Sequence, residues 1–89
     1  MSMLITPISV SEDAATRRTF GDVEGAARFL MDNWPEAFSN TPLHVSARRV
    51  ALDALASHVP VEAFRLAFAS AAEEAGILAD PPSIGLRVG

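Results

Sequence analysis

Cysteine, lysine and tyrosine are all missing from this chain. Without cysteine there is no disulfide and no thiolate metal site, so stability has to come from packing. All seven basic residues are arginine, which together with abundant alanine reads as codon bias. Basic charge is scarce as well. The net charge of −4 disfavours nucleic acid and anionic membranes as partners. No apolar run approaches the roughly 20 residues that span a bilayer. The opening MSMLITPISV lacks the basic segment and small-residue cleavage site of a signal peptide, so a cytoplasmic protein is expected.

What remains is enough for one domain. The 89 residues are 49% hydrophobic, which supplies a core and leaves a surplus for an apolar contact surface. Leu4, Thr6, Ile8 and Val10 alternate with Ile5, Pro7 and Ser9, the period of a half-buried strand, with Pro7 suited to an edge. Ser11 to Ala15 reads as a hairpin loop and Thr16 to Phe20 as a second strand. Asp22 is placed to cap a helix running to about Trp34, with Val23, Ala27, Leu30 and Trp34 inward and Ala26 and Met31 flanking. Pro35 ends it. Thr41-Pro42 starts a second helix to about Ser57, burying Leu43, Ala47, Val50, Ala51, Ala54 and Leu55. Pro60, read as the first helical residue, opens a third helix. Its inward face is Phe64, Phe68, Ala71, Ala72 and Ala75, and Gly76 is its left-handed stop.

These patterns predict an α+β fold: an N-terminal antiparallel β-hairpin followed by three α-helices, the third central. Residues 1–78 form the compact domain. Ala79 to Gly89 is read as a flexible tail, the alternative being a strand added to a sheet edge.

Several local motifs add a family. The Pro7, Ile8, Val10 strand, Arg18 and Phe20 before Asp22-Val23-Glu24, Trp34-Pro35, Ala47, and the run Arg65, Ala67, Phe68, Ala71, Ala72, Glu74, Ala75, Gly76 resemble domain-of-unknown-function family 982. The resemblance covers nearly all of the chain up to Leu78. Its members are small bacterial proteins of about this length. A tryptophan near Leu4, a glycine near Thr41 and a cysteine near Ala51, which the family leads one to expect, are absent, so roles attached to them do not carry over. The resemblance implies an architecture and no activity, cofactor or partner.

Nothing catalytic assembles from the spacing. His44 and His58 are about 21 Å apart along a helix, too far to share a metal, and are read as surface or capping residues. Glu73 and Glu74 point about 100° apart. Ser57-His58 has no third triad member. No metal, cofactor or catalytic residue is expected. Six residues stand out as contacts for a ligand or partner. Arg18, Arg48 and Arg49 belong to the two arginine pairs, which form one patch if hairpin and second helix lie side by side. Trp34 is a ring at a helix end, more in keeping with a core plug than a stacking platform. Arg65 flanks a buried stripe and needs a partner, Glu62 or an acid such as Glu24 or Asp22. Leu66 points outward. Phe29, Phe38, Val45 and Leu52 also fall outside the inward stripes.

The expected function is therefore a non-enzymatic protein-interaction module, most simply a homodimer whose hairpins pair across a two-fold axis. The alternative is a regulatory domain with a small-ligand pocket between hairpin and helices near Trp34 and Arg18. Nucleic-acid binding through the arginine pairs ranks below both.

Overall fold

A computed structural model describes residues 3–12 and 15–79 of the chain. Strands β1 (Leu4–Ser11) and β2 (Arg17–Asp22) form an antiparallel hairpin. Helices α1 (Val23–Asp32), α2 (Pro42–Leu55) and α3 (Val61–Glu74) follow, with a short 3-10 turn at Glu36–Phe38. This is the expected α+β arrangement. Helix α3 packs against α2, β1 and α1, which makes it the central element.

The hairpin departs from simple alternation at Pro7. Leu4 faces Asp22 and Ile8 faces Phe20, so four steps along β1 match two along β2. Proline has no N–H for a ladder, and a bulge is where a strand tolerates it. The bulge changes the phase: Ile5 is buried together with Ile8 and Val10, and Leu4 is 74% exposed. The outer side of β1 is then covered. Ile77 accepts from the Ser11 N–H at 2.7 Å, and Ala79 donates to the Ser9 carbonyl at 2.9 Å, around a Val10–Leu78 bridge. Ala79 is therefore tied to the sheet and does not begin a free tail; the rest of that expectation, residues 80–89, lies outside the described residues.

Capping sets the helix limits. The Asp22 carboxylate accepts from the Gly25 N–H at 2.8 Å, and the Thr41 hydroxyl accepts from the His44 N–H at 3.2 Å, each satisfying an otherwise open N-terminal donor. Pro60 is the N-cap of α3, one residue before the first-turn position the sequence suggested. Helix α1 stops at Asp32, and Trp34 follows it in the core.

The inward faces also differ from expectation in particular residues. Phe29 is buried and Met31 is exposed, because α1 leans one side onto β2, where Phe29 meets Phe20 at 5.3 Å between ring centroids. On α2 the buried residues are His44, Ala47, Ala51 and Ala54, spaced three and four apart. Leu43 and Leu55 flank that stripe and are exposed. Small residues along it let α2 approach α3 closely, so the bulky leucines are left at the margins.

Both long helices end in the same reciprocal motif. Ile77 donates to Ala72 and Gly76 to Glu73, with Gly76 at φ +73°. At the end of α2, His58 donates to Asp53 and Ser57 to Ala54, with Ser57 at φ +64°. These are paired C-terminal caps that need a left-handed residue. A serine in that conformation costs about 1 kcal/mol that glycine would not. The substitution Ser57→Gly is expected to raise the thermal midpoint by roughly 5 °C, measured by circular dichroism, with no change in helix content.

Candidate functional site

The six residues singled out from the sequence are dispersed over the molecule. Strand β2 packs on β1 and α1, whereas α2 packs on α1 and α3. The two arginine pairs are therefore not brought side by side. Arg48 donates to the Asn40 side chain at 2.9 Å, Arg49 is exposed, and Leu66 is 64% exposed on the side of α3 away from the core.

Trp34 is a core residue. Its ring stacks on His44, with centroids 5.2 Å apart and planes 16° from parallel, and meets Phe29 and Phe68 edge-on. His44 corrects the expectation of a surface or capping histidine, for it is 3% exposed. The Asn40 N–H donates to Nδ1 at 3.0 Å, which leaves the ring proton on Nε2, where it is donated to the Leu30 carbonyl at 2.8 Å. A neutral imidazole with one donor and one acceptor is fully satisfied by those two backbone groups. The positive φ of Asn40, +67°, turns the chain so that its N–H lies beside the ring. Periodicity could not reveal this, since a histidine scores as polar whatever its partners.

Arg65 finds neither Glu62 nor an acid from α1. Its Nε donates to the Thr6 carbonyl at 2.9 Å and a terminal nitrogen to the Pro7 carbonyl at 3.3 Å. The β1 bulge frees those carbonyls, so a cation caps what the ladder leaves open. Arg65 is thus a structural residue that closes the same side of β1 as residues 77–79.

Arg18 remains as a site residue. Its guanidinium lies over two rings, 5.6 Å from the Phe20 centroid and 5.7 Å from that of Phe29, within cation–π range. An ion pair to Glu12 at 3.7 Å is loose and exposed. A groove of about 390 Å³ runs here between β2 and α1, with Phe20 and Phe29 among its apolar lining and Arg18, Arg28, Asp22 and Glu24 among its charged lining. Trp34 does not line it. The pocket expected near Trp34 and Arg18 thus has its counterpart on the Arg18 side alone, and Arg28 is the residue that sequence reading missed. Its position one residue before Phe29, with Glu24 four residues earlier, was the available signal.

The two acids in the groove are already engaged. Asp22 caps α1, and Glu24 accepts from the Met3 N–H at 3.3 Å. Among the described residues no group of three His, Asp or Glu side chains could hold a metal ion, and no helix is long and apolar enough to cross a membrane.

Three substitutions are expected to lower stability, with the single tryptophan as fluorescence reporter in urea unfolding. His44→Ala is expected to cost about 3 kcal/mol, from a lost stack, a buried Leu30 carbonyl without its partner and a freed Asn40 N–H. His44→Phe keeps a ring and is still destabilising. Arg65→Ala is expected to cost about 1 kcal/mol, because its carbonyl partners can recruit water.

No curated protein and no solved structure matches the chain. The family model described as "Protein of unknown function (DUF982)" matches residues 6–79, and the chain belongs to that family.

Proposed function

We propose that the protein is a non-enzymatic interaction module that associates with a second copy of itself through the outward face of α2. The observation that carries this reading is the placement of Val45, Leu52 and Leu55. All three are exposed, and their spacings of seven and three put them, with Arg48, along one stripe of the helix. This stripe runs beside the alanine face that α3 covers.

Such a stripe is self-complementary. Two α2 helices running antiparallel about a two-fold axis near residue 50 set Val45 of each copy against Leu55 of the other. Leu52 then lies against the aliphatic stem of Arg48, whose head is already held by Asn40. Strand pairing through β1 is a weaker basis for the dimer, because Arg65 and residues 77–79 cover its outer side. The non-enzymatic reading has its support in His44, whose two ring nitrogens are both committed to backbone groups.

Light scattering after size exclusion, at high micromolar concentration, is expected to give a dimer for the wild type and a monomer for Leu52→Glu. Leu52 is 57% exposed, so the variant keeps the wild-type helix content by circular dichroism. A wild type that is strictly monomeric removes the homodimer.

The groove favours a second reading, a ligand-binding domain. Its volume of about 390 Å³ falls in the range of small-ligand sites, and it combines aromatic rings with charged groups.

A further inference from the structure

We infer that the β2–α1 groove binds an extended peptide segment that adds to the free edge of β2 and places an acidic side chain beside Arg18. The inference rests on the groove being a binding site, and not on pairing through α2.

The phase of the ladder identifies the free backbone groups. The Glu12 N–H donates to the Thr16 carbonyl at 2.7 Å, which continues the hairpin past Ser11 and Arg17. In an antiparallel pair hydrogen-bonded and non-bonded residues alternate. Hence Val10–Arg18 and Ile8–Phe20 are bonded pairs, and Ser9–Thr19 and Ser11–Arg17 are not. The other side of β1 agrees, since Ser9 and Ser11 direct their backbone groups to Ala79 and Ile77. On β2 the backbone groups of Arg17 and Thr19 therefore point away from β1. Both residues are exposed, and among the described residues no bond to those outward groups occurs.

The edge opens directly onto the groove. A strand added there bonds to Arg17 and Thr19, and its residue between those bonds lies opposite Arg18 on the same face. That side chain enters the groove above Phe20 and Phe29. Charge decides what it is. Asp22 is spent on the cap of α1 and Glu24 on the Met3 N–H. Arg28 has no ion pair among the described residues, and Arg18 has only the 3.7 Å contact with Glu12. Two available guanidiniums in one groove, that of Arg18 over the Phe20 and Phe29 rings, select a carboxylate. The neighbouring positions of the strand, on the opposite face, meet solvent and carry no such requirement.

The probe is a capped pentapeptide, Val-Thr-Glu-Val-Thr, titrated into the full chain labelled with nitrogen-15. The expected result is shifts at Thr19, Arg28 and the Arg18 side chain, together with slowed hydrogen exchange of the Thr19 amide. Replacing the peptide's Glu by Gln, or Arg28→Glu in the protein, should weaken binding at least tenfold. Methylating the peptide's backbone nitrogens should abolish it, with the protein unaltered. Equal binding by peptides bearing Glu and Lys overturns the inference, as does the absence of shifts at millimolar peptide. If free glutamate produces the same shifts and the Thr19 amide exchanges as before, strand addition is overturned and a small-ligand groove stands. If a second copy of the chain occupies the edge, Leu52→Glu remains dimeric and the peptide competes with the dimer, which also overturns a separate peptide partner.

Discussion

One ring holds the described fold together. Phe68 on α3 meets Phe20 of β2 at 6.0 Å, Trp34 after α1 at 5.7 Å and Phe64 at 5.8 Å. Phe20 and Trp34 each meet Phe29 of α1, and Trp34 stacks on His44 of α2. A single aromatic network thus reaches β2 and all three helices. Large rings at the centre are compatible with close helix packing only if their surroundings are small. Ala26, Ala27, Ala47, Ala51, Ala54, Ala71 and Ala72 meet that condition, and all are buried. A chain of this size buries a limited share of its surface, so a few large rings supply much of the apolar burial.

A buried histidine and polar contacts at the margins complete that core. His44 joins the Leu30 carbonyl to the Asn40 N–H, pinning the end of α1 to the start of α2. Thr41, which caps α2, also donates to Glu74 at 2.7 Å and so links the start of α2 to the end of α3. Arg65 carries the same logic to the sheet, taking the two carbonyls that the Pro7 bulge exposes. The His44 and Arg65 contacts satisfy backbone groups that helix or ladder geometry leaves open. Together they align the ends of helices whose faces are mostly featureless alanine.

The functional proposals lie where that satisfaction stops. One side of β1 is covered by Arg65 and residues 77–79, whereas β2 keeps outward backbone groups at Arg17 and Thr19 next to two arginines and two rings. On α2 the alanine stripe is used up by α3 and α1, and the flanking Val45, Leu52 and Leu55 are left at the surface. An apolar helix face and a cationic strand edge are different kinds of surface, suited to different partners. The protein can offer both at once because they belong to different elements of the fold.

Local chemistry was legible in the sequence, and it determined much. Asp22, Thr41-Pro42 and Gly76 mark helix ends through bonds made within a few residues, and the spacing of Phe64, Phe68, Ala71 and Ala72 identifies the buried face of α3 without knowledge of its neighbours, although Ala75, expected on that face, is the half-buried C-cap. Family membership follows from the same short patterns. Tertiary structure alone decided the rest. Whether His44 is buried depends on two backbone groups supplied by Leu30 and Asn40. Whether Phe29 or Met31 faces inward depends on which side of α1 meets β2. Arg65 has carbonyl partners only because a bulge fifty-eight residues earlier left them open, and the Arg18–Arg28 groove exists only when β2 and α1 are set against each other. Spacing along a chain reports the faces of single elements. What those faces meet is set by long-range packing, and in this protein that is where the core histidine and the candidate binding groove arise.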